Sequence, residues 1–155
     1  DNSSQEYITM EKDLQWLENY LSLPLLRFSH TFEYHIDLDQ SIQVDDVLIP
    51  PMLIQPFIEN ALEHGLKKLD KKGLLSIRIQ HLGKELLIGV VDNGIGMSNT
   101  VSDSYKKHQS RALTITKERL TFLNKKQAQK IDFDIKSSTN NGTLVSFRIP
   151  FKSKF

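Results

Sequence analysis

The 155-residue chain contains no cysteine. That absence excludes disulfides, thiolate zinc sites and cysteine nucleophiles. No apolar run approaches the ~18 residues of a membrane span, and no signal peptide is visible. An excess of either charge is missing too: 20 Lys and Arg stand against 19 Asp and Glu, a formal net charge of +1. So even a balance gives no general electrostatic reason to bind nucleic acid or an anionic membrane. The lysine runs Lys67-Lys68, Lys71-Lys72 and Lys125-Lys126 are short and read as solvated surface. There is no internal repeat and no low-complexity tract. What remains is ordinary globular composition, 39% hydrophobic and 25% charged, in a length that suits one domain with a proper core. The chain begins at Asp1 rather than Met, which reads as a piece of a longer protein.

Periodicity places the elements. Leu14, Leu17, Tyr20, Leu21 and Leu25 recur at helical spacing, so a helix is expected from Ile8 to about Phe28, kinked or broken by Pro24. Phe32 to Asp39 alternates apolar and polar, the mark of a half-buried strand. A second helix is expected to start at Pro50-Pro51, carry the stripe Ile54, Phe57, Ile58, Ala61 and Leu62, and end at Gly65. Strands follow at Leu74–His81 and Glu85–Asp92, with a hairpin near Gly83-Lys84. Ser98 to Ser110 is polar and reads equally as a lid or as a plain surface loop. Arg111 to Lys126 is helical again, and Asn140-Asn141-Gly142 turns a last hairpin of Asp132–Ser137 and Thr143–Pro150. The sum is an α+β fold, a two-layer sandwich of a mixed sheet of about five strands with three helices on one face.

Two segments carry chemistry. In Gln55-Pro56-Phe57-Ile58-Glu59-Asn60-Ala61-Leu62-Glu63-His64-Gly65, a turn of 100° per residue puts Asn60 opposite the apolar stripe, facing outward with Pro56, Glu59 and Glu63. An outward amide is either part of a solvated face or a hard oxygen donor for a cation such as Mg²⁺. In Val90-Val91-Asp92-Asn93-Gly94-Ile95-Gly96-Met97, an apolar strand ends at Asp92 and runs into alternate glycines that allow close backbone approach. An ionised carboxylate only accepts hydrogen bonds. It suits the exocyclic amine of adenine and repels the carbonyl that guanine presents there. A turn-forming Asp-Asn-Gly is the competing reading.

Together the two segments resemble the ATP-binding, catalytic domain of sensor histidine kinases, in the superfamily shared with gyrase-like ATPases, Hsp90-type chaperones and MutL, and within it the LytS/YehU-type subfamily. Ile49 to Ala61 resembles the asparagine box, Asp92 to Met97 the first glycine box, and Lys117-Glu118-Arg119-Leu120 the end of the second. Asn141-Gly142-Thr143 and the strand ending at Pro150 are similar to the final element, and Glu18 to Phe28 to the helix that leads in. The resemblance implies a Bergerat-type fold, with residues 1–30 leading in from a dimerisation and phospho-acceptor region and residues 31–155 binding ATP. It implies Asn60 as the Mg²⁺ ligand and, with Glu59, the catalytic pair. It implies nucleotide contacts from Asn60, His64, Asp92, Gly94, Gly96, Arg111, Leu113 and Thr143, a lid from Ser98 to Ser110, and phosphates meeting the helix that opens at Arg111. The implied partners are ATP, a phospho-acceptor histidine helix of the same or a partner subunit, and a response regulator. The parent is implied to be a homodimeric, membrane-anchored bacterial sensor with this part in the cytoplasm, touching neither nucleic acid nor membrane.

The sequence departs from the family pattern at defined places. Ser110-Arg111-Ala112-Leu113 stands where the second glycine box reads Gly-x-Gly-Leu, and Glu63 stands where a lysine is usual. None of His30, His35, His64, His81 and His108 has the Pro-His-Phe context of the phospho-acceptor. Two alternatives follow. One is a degenerate nucleotide-binding signalling module with weak or no kinase activity. The other is an ATP-hydrolysing relative, opposed by Pro56 standing where such enzymes place a glutamate base.

Overall fold

The computed structural model describes residues 7–23, 32–65, 72–94, 103–137 and 141–155. Five strands form one sheet: β2 (Phe32–Leu38), β4 (Gly73–Leu82), β5 (Glu85–Asp92), β6 (Asp132–Ser137) and β7 (Thr143–Pro150), in the order β2-β4-β5-β7-β6. β2 and β4 run parallel, Phe32 opposite Gly73, and every other neighbour is antiparallel. Two short strands, β1 (Ile8–Thr9) and β3 (Leu48–Ile49), pair separately.

Strict alternation decides which face is covered. Leu75, Ile77 and Ile79 of β4, Leu86, Ile88 and Val90 of β5, and Val145, Phe147 and Ile149 of β7 are all buried on one face. There they meet α1 (Met10–Leu21), α2 (Gln55–Asn60) and α3 (Asp103–Asn124). Phe57 of α2 lies 5.6 Å from Phe133 and 6.4 Å from Phe147, ring centre to ring centre, in tilted geometry that favours edge contacts. The sheet of five strands under three helices is the α+β sandwich expected from the sequence.

Several boundaries differ from expectation, each for a local reason. The first helix starts at Met10, because Thr9 is extended (φ −66°, ψ 146°) and caps it by accepting from the Lys12 N–H. It ends at Leu21, and Pro24 lies outside the described residues. The second helix starts at Gln55, not at Pro50-Pro51. Met52 takes φ 61°, outside the right-handed helical region, so no helix runs through it. Pro56 occupies the first turn, where its missing N–H costs nothing. After Asn60 the helix widens into a π turn, Ala61–Gly65, which the sequence pattern does not announce. The third helix runs two turns further back than Arg111, and so takes in residues 103–110 of the expected lid. No Gly or Pro interrupts those residues, and Gln109 extends the buried line of Ala112, Thr116, Leu120 and Leu123. Residues 98–102 lie outside the described residues.

Candidate functional site

Asp92 ends β5 on the helix-covered face and is 8% exposed. Its Oδ1 accepts from the Gly94 N–H at 2.8 Å, and the Thr143 N–H across the β5–β7 ladder also donates to the carboxylate. Burial pushes this carboxyl up to about 6, against the downward pull of those two N–H groups. Above that value it is an anion that can only accept.

The corner holding Asp92 is pinned from both sides. The Asn93 side chain accepts from the Leu74 N–H at 2.7 Å and donates to the Lys72 carbonyl at 3.1 Å, clasping the start of β4. Gly142, at φ 74°, packs so closely that a Cβ there would lie 1.9 Å from the Asp92 carbonyl oxygen. Only glycine fits a positive φ with that approach.

Opposite stands α2. Asn60 is 8% exposed, and its Nδ2 donates to Gln109 Oε1 of α3 at 3.1 Å. Gln109 itself is 4% exposed. The amide expected to face solvent is therefore covered by α3, because that helix begins earlier than its pattern suggests. Between these groups lies a cavity of about 10 Å³, the room of a single water. Its walls are Phe57 and Ala61 of α2, Val90 and Asp92 of β5, Thr143 and Val145 of β7, and Gln109.

On the same helix Glu59 is half-buried, and burial, then the nearby Glu63, raises its carboxyl above the usual range. The Tyr20 hydroxyl of α1 is pushed up to about 12 by burial, then by Glu63 and Glu59. Two carboxylates make this side of α2 electronegative, which favours a cation over a bare phosphate. Among the described residues no group of three or more His, Asp or Glu side chains is arranged to hold a metal ion. An ion here would take Asn60 as its protein oxygen and its remaining oxygens from a ligand or water. That fits a hard cation such as Mg²⁺, which keeps most of its shell outside the protein.

Asp92, Gly94 and Thr143 thus converge; Asn60 is not among the residues lining the cavity, but bonds to Gln109, which is. Thr143 acts through its N–H, since its hydroxyl pairs with that of Ser137 at 3.0 Å. Leu113 packs against the core and lines no part of the cavity. α3 does not open at Arg111 as expected: that residue is exposed in its third turn, so no helix terminus and no dipole end is found there. His64 lies in the π turn with its side chain outside the described residues, as is Gly96. The pattern did not single out Gln109. Its signal was a polar residue continuing the apolar line of a helix.

Residues 49–153 match the family described as histidine kinase-, DNA gyrase B- and HSP90-like ATPase. The chain is 34% identical over 150 residues to the sensor protein LytS of Staphylococcus epidermidis; the match takes in 94% of this chain and 25% of LytS. The chain therefore spans about a quarter of the length of that relative. Its fold is shared by the blue-light activated histidine kinase of Erythrobacter litoralis, at TM-score 0.62 and 17% identity over 92% of this chain and 42% of that one. It is shared likewise by the catalytic domain of histidine kinase ThkA, at TM-score 0.62 and 11% identity over 93% of each chain.

Proposed function

Since the chain belongs to the family of histidine kinase-, DNA gyrase B- and HSP90-like ATPases, we propose that it is the ATP-binding, catalytic part of a two-component sensor histidine kinase. It presents Mg-ATP to a phospho-acceptor histidine outside these residues, from which a response regulator is charged. The observation that carries the reading is the buried Asp92 carboxylate at the cavity, with the Asn60-bearing helix on the opposite wall.

In this reading Asp92, ionised at neutral pH, accepts from the adenine exocyclic amine. Gly94 and Thr143 hold the carboxylate in place through their N–H groups. Asn60 would hold Mg²⁺ through its amide oxygen, and the ion would supply neutralisation of the triphosphate charge. The cavity admits only a water, so in this reading Gln109 withdraws to let the base in and its bond to Asn60 is lost. Phosphoryl transfer asks mainly for positioning and charge neutralisation. Glu59, next to Asn60 and raised above the usual carboxylate range by burial and then by Glu63, would in its ionised form take the proton from the attacking histidine. Among the described residues no helix is long and apolar enough to cross a membrane. We place this part on the cytoplasmic side of a membrane-anchored, homodimeric receptor, as the sensor relatives suggest.

Titration with a fluorescent ATP analogue and Mg²⁺ tests the reading. Micromolar binding, competed by ATP but not GTP and abolished by Asp92→Asn, is the expected result. A second reading has its own support: Gln109 walls the cavity down to the room of one water, and Ala112 and Ser110 stand where family glycines would let backbone approach phosphate. Absence of binding at millimolar nucleotide would favour that weakly binding signalling module. Steady hydrolysis lost in Glu59→Gln would favour an ATPase.

A further inference from the structure

One buried ionisable group takes no part in the site described above. Asp13 sits on the apolar stripe of α1 between Met10 and Leu17 and is 9% exposed. Its Oδ1 accepts two bonds, each of 3.1 Å: one from the Met52 N–H, one from Nε2 of Gln55. Gln55 opens α2 and is itself 1% exposed, with an Oε1 that has no partner among the described residues. Met52 is a non-glycine residue at φ 61°, a conformation that persists only where its surroundings over-determine it. Arg119 of α3 acts favourably on the carboxylate, although burial still raises Asp13 above the usual range. One oxygen therefore ties α1 to the strained turn that launches α2 and to the first side chain of α2, with α3 close by.

An apolar residue would fill that stripe position at lower desolvation cost, so the carboxylate's contribution is geometric. α2 has only six residues, and Asn60 is its last. Gln55 and Asn60 are separated by about 7.5 Å along the axis, so a tilt of about 10° at the start moves the amide by about 1 Å. A displacement of that size is enough to spoil a ligand site.

We propose that Asp13 is a positioning residue for Asn60: by holding Met52 and Gln55 on one oxygen, it fixes the short helix that carries the amide to Gln109 at the cavity wall. It also gives a route by which a shift of α1 reaches that site. The inference rests on the reading of Asn60 as the amide that serves Mg-nucleotide.

The test compares Asp13→Ala and Asp13→Asn with Leu17→Ala, a core truncation on the same helix, in the full chain. Two readouts are taken: the side-chain amide resonance of Asn60 without nucleotide, and the ratio of ATP-analogue affinities with and without Mg²⁺. Asp13→Ala is expected to shift or split the Asn60 resonance and to cut the Mg²⁺-dependent gain about tenfold, with Mg²⁺-free affinity almost unchanged. Asp13→Asn keeps an acceptor oxygen and restores both. Leu17→Ala lowers the melting temperature and moves neither. Should Asp13→Ala not fold, Gln55→Met removes one donor and no charge and is read the same way. An unmoved Asn60 resonance, or equal effects from Leu17→Ala, overturns the proposal. If wild-type binding shows no Mg²⁺ dependence, it is the nucleotide reading that fails; the Asn60 resonance still decides the role of Asp13.

Discussion

Replacing Asp92 with Asn should make the nucleotide-free protein more stable at alkaline pH while removing its hold on adenine. The Asp92 carboxyl ionises at about 6 in the folded chain, against an ordinary value of 3.8. Below about pH 4 the group is protonated in both states and costs nothing. From there to about pH 6 the unfolded chain gives up the proton while the folded one keeps it, so stability falls as pH rises. Beyond pH 6 the loss is complete: about two units, or about 3 kcal/mol. Asparagine keeps an oxygen for the Gly94 N–H but turns an N–H₂ toward one of the two donors, which costs about 1 kcal/mol. The variant should then lead by about 2 kcal/mol at pH 8 and trail by about 1 kcal/mol at pH 4. For a chain of this length the lead at pH 8 is a gain of about 4–8 °C in melting temperature. Urea unfolding of both proteins from pH 4 to pH 8 measures the difference, and subtraction removes groups common to both. Those include Glu33, lowered by Lys72, and Asp39, lowered by the His81 and Ser41 N–H groups, which titrate in the opposite sense. A wild-type-minus-variant difference that stays flat across that range would refute the account of Asp92.

Gln109→Ala removes the bond to Asn60 and opens the cavity, so nucleotide should bind about fivefold more tightly, the worth of about 1 kcal/mol, with faster association in stopped-flow mixing. Equal or weaker binding would mean that Gln109 belongs to the bound site instead of blocking it. Gly142→Ala drives a methyl into the Asp92 carbonyl and should cost about 2–4 kcal/mol in urea unfolding. A variant as stable as wild type would show that the close approach is not rigid.

The sheet was the most legible part of the sequence. β5, β6 and β7 begin and end where alternation placed them, because a strand half-buried on one face writes period two into its residues. β1 and β3 have two residues each, too few to show any period. The first turns of α3 carry mainly polar residues, and so looked like a loop. The spacing puts Asn60 opposite the apolar stripe of its helix, but an angular projection along one helix says nothing about a second helix lying across it. Asp13 and Gln109 share one signature, a polar residue at a stripe position where an apolar one would pack. Each turned out to bond a side chain of α2.

The two walls of the cavity are built differently. On one side Asp92, Thr143 and Gly142 belong to a single hydrogen-bonded lattice, where register fixes each atom against its neighbours. On the other, among the described residues, α3 makes no backbone bond to the sheet and leans on it through side chains alone. The molecule is a vice with one jaw held by backbone bonds and one held by side-chain packing. Under the proposed function, base selectivity would rest on the first jaw and admission on the second, so substitutions in α3 would change affinity without changing which base is chosen.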